Sequence, residues 1–334
     1  MLEVRNLRVE FPVGKPGFFG RNQRWMKAVD DVSFSMPRGK TLGLVGESGC
    51  GKSTLGRAML QLIPSRGGEV RFDDVDLCQL DSTQIKPWRR RMQMVFQDPY
   101  SSLNPRITVG GAVAEPMLVH HLGDEAERAD EVRKLFELVG LSPNLTERFP
   151  HEFSGGQRQR IGIARALAAK PDFIVCDEAV SALDVSNQAQ IVNLLEDLRE
   201  QLELTYLFIA HDLAVVRRIS DHVAVMYLGS IVEWTRKRTL FERPLHPYTV
   251  GLLSAVPSPN PAFEKTRRLE LLGGDLPNPL DRPTGCQFHP RCPRALPICQ
   301  SEAPGFREVE DGHWVACHLY ARPESGSEGG EGLR

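Results

Sequence analysis

The segment GESGCGKS, residues 46–53, constrains the fold of this chain more than any other feature. It matches the pattern G-x-x-x-x-G-K-[ST], follows the apolar run TLGLV and leads into the run STLGRAMLQLI. Glycines let successive backbone N–H groups of such a loop point at phosphate oxygens, and the start of the following helix adds positive charge. The alternative is a plain glycine-rich turn, but the strand–loop–helix context favours a phosphate-binding site.

The residue types in this loop predict separate contacts. We expect Lys52 to reach the β- and γ-phosphates of a nucleotide and the Ser53 hydroxyl to bind Mg²⁺. The other expected nucleotide contacts are Gly46, Ser48, Gly49, Cys50, Gly51 and Thr54.

A second motif supplies the acids that a phosphate site requires. FIVCDE, residues 173–178, is an apolar run that ends in two carboxylates. Asp177 is expected to hold Mg²⁺, and Glu178 is positioned to act as a general base on the attacking water. An apolar strand that ends in two acids is also common in solvated turns, so this interpretation depends on the phosphate loop.

The remaining pattern predicts an α/β domain. Short apolar runs alternate with helical periodicity, as in a mostly parallel, buried sheet. A largely helical block is expected at about 100–170, and the alternation in LEVRNLRVEF suggests an edge strand near the N-terminus. After about residue 240 prolines become frequent, and the last residues, 321–334, are predicted to be disordered.

Composition excludes some classes of function. The net charge of −2 among 334 residues gives no basic footprint for nucleic acid. The N-terminal residues do not resemble a secretory signal, and no apolar run approaches the roughly 20 residues of a membrane helix. The sequence therefore predicts a protein that does not span a membrane, although it can dock on one that does.

A further motif carries a family resemblance. FSGGQRQR, residues 153–160, contains Ser154, Gly155, Gly156 and Gln157, and it resembles the signature motif of ATP-binding cassette (ABC) ATPases. By itself the segment could be a plain helix cap, because serine and two glycines expose free N–H groups at a helix start. The other family motifs occur in order, however. Gln97 resembles the Q-loop glutamine, 181–184 the D-loop that ends in Asp184, and His211 the switch histidine.

The resemblance implies a fold and a dimeric mechanism. It covers about residues 1–240 and implies a P-loop NTPase ABC cassette, with a RecA-like core and a helical insert. ATP on the phosphate loop of one subunit would be covered by the signature helix of the other. Gln97 would lie between Mg²⁺ and the membrane-facing surface, and His211 would contact the γ-phosphate.

The adenine contact is less determined by the motifs. ABC ATPases stack adenine on an aromatic residue early in the chain. Alignment of NLRVEF selects Phe11, while Phe18, Phe19 and Trp25 remain alternatives.

Three segments resemble one branch of the family, the oligopeptide, dipeptide and nickel importers. These segments are PLHPYTVGLLSAVP at 244–257, the pair GRNQRWMKAVDDVSF at 20–34 and DPYSSLNPR at 98–106 on either side of the phosphate loop, and the cysteine-rich tail. The branch implies a peripheral ATPase on the cytoplasmic face of the cell membrane. Its partners would be a paralogous ATPase subunit, two transmembrane permease subunits and an extracytoplasmic solute-binding protein. Nickel or another small solute remains an alternative cargo. A soluble ABC protein acting on DNA or ribosomes and an exporter ATPase are disfavoured alternatives.

The C-terminal extension, 241–320, carries four cysteines: Cys286, Cys292, Cys299 and Cys317. Prolines limit its regular structure, so we expect it to need a metal or disulfide, and a reducing compartment disfavours disulfides. Four thiolates suit a [4Fe–4S] cluster or tetrahedral zinc, and the wide spacing together with the importer resemblance favours the cluster. His289, His313 and His318 are expected to be exposed or structural.

Overall fold

Fully buried parallel strands form the centre of the structure, a computed structural model that describes residues 1–14, 23–98, 102–255 and 273–320. Every residue of the runs TLGLV, FIVCD and TYLFI is buried, as expected for strands covered on both faces. The predicted disordered tail, 321–334, lies outside the described residues.

The described strands form two sheets. The strands are β1 (Leu2–Val13), β2 (Arg24–Met36), β3 (Thr41–Val45), β4 (Gly67–Phe72), β5 (Val75–Asp76), β6 (Met92–Val95), β7 (Phe173–Asp177), β8 (Thr205–Ile209), β9 (His222–Tyr227), β10 (Ser230–Arg236), β11 (Arg307–Glu310) and β12 (His313–Val315). The smaller sheet has the order β2-β1-β4-β5, and the larger has the order β11-β12-β10-β9-β3-β8-β7-β6. Strands β6, β7, β8, β3 and β9 pair in parallel, and this confirms the predicted fold class.

The described helices pack on these sheets. They are α1 (Lys52–Met59), α2 (Lys86–Arg91), α3 (Val109–Val119), α4 (Glu125–Leu138), α5 (Gly155–Leu167), α6 (Val185–Leu202), α7 (Leu213–Ile219), α8 (Lys237–Glu242) and α9 (Pro247–Ser254). Helix α1 packs against β1 and β2 on one side and against β7 and β8 on the other. Helices α3, α4 and α5 all lie between β6 and β7 along the chain, where the helical block was expected. None of the described helices has both the length and the hydropathy to cross a bilayer.

Strand β1 does not lie at an edge, so that prediction is wrong. It pairs with β2 on one side and β4 on the other. Alternation of apolar and polar residues reports only that one face of a strand is buried. It carries no information about neighbours in the plane of the sheet.

The C-terminal extension shares the core of the rest of the chain. Strand β12 pairs with β10 and lengthens the central sheet. Phe288 is buried against the rings of Tyr227 and Tyr248. His313 Nε2 lies 2.7 Å from the buried Glu233 carboxylate, which also accepts a hydrogen bond from the His246 backbone N–H. The extension is thus held by sheet pairing, aromatic packing and a buried polar contact.

Candidate functional site

A cavity of about 270 Å³ opens above the phosphate loop. It lies where β3 and β7 end, and ligands of parallel α/β sheets bind outside these carboxyl ends. Its described lining residues are Phe11, Met26, Lys27, Ala28, Ser48, Gly49, Cys50, Gly51, Lys52, Ser53, Thr54, Gln97, Glu178, Leu228, Gly229 and Pro279. Most of the residues predicted to contact nucleotide therefore face one space.

The backbone of the phosphate loop requires glycine at two positions. Gly51 is the N-cap of α1 with φ 107°, and a Cβ there would stand 2.1 Å from the Ala28 carbonyl oxygen. A Cβ on Gly46 would stand 2.2 Å from the Met226 carbonyl oxygen. Both contacts are with backbone atoms that cannot move aside, so only glycine fits at these two positions of the loop.

Lys52 is buried inside the curve of the loop. Its Nζ donates hydrogen bonds to the carbonyl oxygens of Gly46 and Glu47, at 2.8 and 2.9 Å. The ammonium is thereby fixed within a cavity wall that includes Ser48, Gly49 and Cys50. A positive charge fixed in the wall of the cavity suits an anionic phosphate.

The two predicted magnesium ligands are in contact. The Ser53 hydroxyl donates a 2.6 Å hydrogen bond to Asp177 Oδ1, and an Arg57 nitrogen lies 3.6 Å from Asp177 Oδ2. Burial raises the pKa of Asp177, while the hydrogen bond from Ser53 and the charge of Arg57 oppose that shift. Two oxygen donors side by side in a buried carboxylate site fit Mg²⁺, which prefers oxygen ligands.

Glu178 joins the other two predicted catalytic residues. Gln97 Nε2 donates a 2.7 Å hydrogen bond to Glu178 Oε2, and His211 Nδ1 lies 3.6 Å from the same oxygen. The Glu178 N–H donates to the Ile209 carbonyl, which ties the residue to the end of β8. Residues 97, 178 and 211 are far apart in sequence, but they meet because each follows a neighbouring parallel strand.

The aromatic candidates for adenine stacking are separated by the sheet. Phe11 lines the cavity. Pro12 pairs with Trp25, so Trp25 belongs to the opposite face of β2 from Met26, the partner of Phe11. The Arg66 guanidinium lies 3.8 Å from the centroid of the Trp25 ring and covers it. Phe18 and Phe19 lie outside the described residues.

The signature motif forms the start of α5. Ser154 Oγ accepts from the Gln157 N–H at 3.3 Å, and Gln157 Oε1 accepts from the Ser154 N–H at 3.0 Å. Gly155 and Gly156 lie in the first turn, and neither is among the described residues that line the cavity. The start of α5 is therefore not part of the described lining of the cavity above its own phosphate loop.

Asp184 lies beside the signature motif and has a local role. Its carboxylate caps α6 by accepting from the Asn187 backbone at 2.9 Å and from the Asn187 side chain at 2.6 Å. A Cβ on Gly156 would stand 3.0 Å from Asn187 Oδ1, so the starts of α5 and α6 are adjacent. Asp184 is also absent from the described lining of the cavity.

The four cysteines of the extension occupy one neighbourhood as free thiols. The Cys286 N–H donates to the Cys299 carbonyl at 2.8 Å. Burial raises the pKa of Cys317 to about 11, and the thiols of Cys286, Cys292 and Cys299 add to the shift. Within the described ranges, however, no group of three or more His, Cys, Asp or Glu side chains is arranged to hold a metal ion.

Sequence reasoning missed the part of the site that the extension supplies. Pro279 lines the cavity, and Arg291 binds the Glu47 carboxylate inside the phosphate loop. These contacts join residues more than 200 positions apart, and no local periodicity or spacing reports them.

Comparison with known proteins gives matches along most of the chain. Residues 29–181 match the ABC transporter family, and residues 232–299 match the oligopeptide/dipeptide transporter C-terminal region. The oligopeptide transport ATP-binding protein AppF of Bacillus subtilis is 52% identical over 96% of this chain and 98% of its own. A probable peptide ABC transporter ATP-binding protein of Sinorhizobium fredii is 50% identical over 96% of this chain and 90% of its own.

Solved structures share the fold of 71–72% of the chain. The ATP-binding cassette MJ0796, a dimer bound to ADP and Pi in a post-hydrolysis state, is 27% identical. It aligns with a TM-score of 0.64 over 71% of this chain and 99% of its own. The protein cbiO1 of Clostridium perfringens, 24% identical with a TM-score of 0.63 over 72% of this chain and 90% of its own, supports the fold alone.

Proposed function

This chain belongs to the ABC transporter family of ATPases, and from that premise we propose that it powers a bacterial importer of di- and oligopeptides. One observation carries the proposal. Glu178, Gln97 and His211 meet beside the Ser53–Asp177 pair, in a chain whose residues 232–299 match the oligopeptide/dipeptide transporter C-terminal region. The first part supports ATP hydrolysis at this site, and the second supports its use in peptide transport.

We propose that the phosphate loop binds the ATP phosphates and orients them. The loop residues Ser48–Gly51 and the first turn of α1 line the cavity, where their N–H groups would contact the phosphates, and Lys52 supplies the positive charge. Ser53, Asp177 and Gln97 would hold Mg²⁺, which neutralises charge on the β- and γ-phosphates when bound. The burial of Asp177 strengthens its interaction with a cation, because little water competes there.

The hydrolytic step assigned to this site is the removal of a proton from water. Glu178 would accept the proton while the water oxygen attacks the γ-phosphorus and the bond to the β-phosphate oxygen breaks. Gln97 donates to one oxygen of Glu178, so it would orient the carboxylate. His211, which is largely exposed, would contact the γ-phosphate when the site closes.

We propose that closure requires a second ATPase subunit. The start of α5 at Ser154–Gln157 does not face the phosphate loop of its own chain, and a head-to-tail dimer would place it over the partner's ATP. The MJ0796 cassette, a dimer bound to ADP and Pi, offers a precedent for this assembly. In the peptide-importer branch we infer a paralogous partner, with Asp184 at the shared interface.

The proposed assembly also contains membrane permease subunits. Two transmembrane subunits, fed by an extracytoplasmic solute-binding protein, would rest on this ATPase at the cytoplasmic face of the cell membrane. The helical insert containing α3 and α4 would contact them, and Gln97 would connect their movement with the nucleotide. The net charge of −2 supports this assembly over nucleic acid as a partner.

The cargo can be tested by uptake. A strain that lacks this chain should lose uptake of radiolabelled tripeptide and regain it with the wild-type chain. Lys52→Ala, which removes the phosphate-binding charge, serves as the inactive control. Loss of nickel uptake with unchanged peptide uptake would support the alternative cargo and overturn the peptide assignment.

We propose further that the four cysteines bind a [4Fe–4S] cluster with a structural role, with zinc as the alternative metal. Support comes from four free thiols that lie near one another. Cysteine thiolates are the ligands that hold iron–sulfur clusters in proteins. The thiols would have to close around the metal as it binds. Protein purified anaerobically should absorb near 400 nm, with about four irons per chain. One zinc per chain in colourless protein would support the alternative, and metal-free protein would refute both.

A further inference from the structure

Glu47, the second residue of the phosphate loop, is held from three sides. Its backbone N–H donates a 2.8 Å hydrogen bond to the Tyr248 hydroxyl, and its carbonyl accepts from Lys52 at 2.9 Å. Its carboxylate accepts two hydrogen bonds from the Arg291 guanidinium, at 2.7 and 2.8 Å. Two of these three partners, Tyr248 and Arg291, come from the C-terminal extension.

The contact between Glu47 and Arg291 differs from an ordinary surface ion pair. The Arg291 side chain is 6% exposed and that of Glu47 is 28% exposed. Both guanidinium NH₂ groups are used, and the remaining Nε donates to the Gly273 carbonyl at 3.0 Å. A bidentate pair with little solvent access fixes both the distance and the orientation between the guanidinium and the carboxylate, whereas an exposed pair does not.

Tyr248 is equally fixed. It is fully buried in α9, with its ring against those of Tyr227 and Phe288. Its own N–H donates to His246 Nδ1 at 3.0 Å. Burial lowers the pKa of His246 to about 4, so this imidazole stays neutral and keeps accepting near neutral pH.

The extension also runs along the rim of the cavity. Pro279 is part of the lining, and Arg282 donates to Asp30 at 2.8 Å and to the Lys27 carbonyl. Lys27 itself lines the cavity. The loop and one wall of the cavity therefore both rest on residues from beyond the cassette.

We infer that Arg291 and Tyr248 are positioning residues for nucleotide binding, because they hold the phosphate loop in its binding shape through Glu47. Glu47 is absent from the described lining of the cavity, so the two residues act on the loop from behind and need no contact with ATP. Binding requires the N–H groups of the loop to be ordered. Ordering a flexible loop on binding costs free energy, and a loop that is already ordered before ATP arrives avoids this cost. The inference rests on the proposed nucleotide site and adds the extension to it.

The test is a double-mutant cycle on nucleotide affinity in the full-length protein. Glu47→Gln and Arg291→Gln should each weaken Mg-ATP binding about 5- to 50-fold, within the usual range for coupling between sites. The double variant should be no weaker than the weaker single variant, because both changes break one contact. Tyr248→Phe, which keeps the packing and removes the hydroxyl, should weaken binding about 5-fold.

Two further measurements separate positioning from loss of structure. In the ATPase assay, KM for ATP should rise while kcat at saturating ATP stays close to wild type, and Arg291→Lys should restore part of the affinity. The matched control is the exposed ion pair between Arg243 and Glu310 in the same region, 3.2 Å apart. Arg243→Gln and Glu310→Gln should leave the affinity unchanged.

The outcomes distinguish failure of the positioning role from failure of the proposed ATPase function. If the wild-type chain binds ATP, Lys52→Ala weakens binding, and folded Arg291→Gln and Tyr248→Phe bind like wild type, only the positioning role is refuted. If the wild-type chain fails to bind ATP, the proposed function fails first. Should Arg291→Gln not fold, Arg291→Lys and Tyr248→Phe decide the question.

Discussion

Replacing Phe11 with alanine should weaken ATP binding through the adenine base alone. Phe11 lines the cavity from β1, next to Met26 and across from the phosphate loop. Stacking of a base on an aromatic side chain contributes about 1–3 kcal/mol, which corresponds to a loss of roughly 5- to 150-fold in affinity. The Phe11 side chain forms no hydrogen bond with Lys52 or Ser53, because it has no polar atom. The phosphate contacts of these two residues should therefore remain in the variant.

The assay compares two ligands by isothermal titration calorimetry. Mg-ATP contains the base, and Mg-tripolyphosphate presents phosphates without it. Phe11→Ala should lower the affinity for Mg-ATP by roughly 5- to 150-fold and leave the affinity for tripolyphosphate within about 2-fold of the wild-type value. Trp25→Ala is the matched control, because Trp25 lies on the other face of the sheet beneath Arg66. It should change neither affinity.

Two results would refute this reasoning. Equal weakening of both ligands by Phe11→Ala would show that Phe11 supports the phosphate loop and does not stack on the base. Selective weakening of ATP by Trp25→Ala, with no effect of Phe11→Ala, would move the adenine to the other aromatic residue.

Three other predictions concern the loop, the coupling and the core. Lys52→Ala should weaken Mg-ATP binding at least 10-fold by equilibrium titration, because it removes a buried charge held 2.8 Å from the Gly46 carbonyl; unchanged affinity would exclude Lys52 from the site. Gln97→Ala should reduce peptide uptake more than ATP binding, since its amide holds Glu178; normal uptake would exclude a role in coupling. Phe288→Ala should lower the free energy of unfolding by about 3–5 kcal/mol in denaturant titration, and a change below about 1 kcal/mol would mean that the ring does not help to hold the extension.

The candidate catalytic residues could be named from the sequence, Glu178 from its own motif and Gln97 and His211 from the family resemblance, and fold geometry explains why they meet. Strands β6, β7 and β8 are parallel neighbours, so the residues that follow them reach one edge of the sheet. Gln97, Glu178 and His211 occupy these positions, and their side chains meet there. Each lies after a short apolar run that is readable in the sequence.

The bracing of the phosphate loop could not be predicted in this way. Arg291 lies 244 residues from Glu47, in a proline-rich segment without periodicity. The interior position of β1 could not be predicted either. The alternation of apolar and polar residues in a strand does not depend on which strands pair with it. In both cases the deciding contact is long-range, and the local pattern is compatible with several neighbours.

Glu178 is proposed to be the general base, and the Glu178→Gln variant tests this role. The rate of phosphate release by Glu178→Gln should be compared with its affinity for Mg-ATP in the same preparation. We predict a loss of about 10²–10⁴-fold in hydrolysis, or roughly 3–5 kcal/mol of transition-state stabilisation, with affinity close to wild type. Lys52, Ser53 and Asp177 keep their contacts in this variant, so binding should persist. Turnover close to that of the wild type would contradict the assignment.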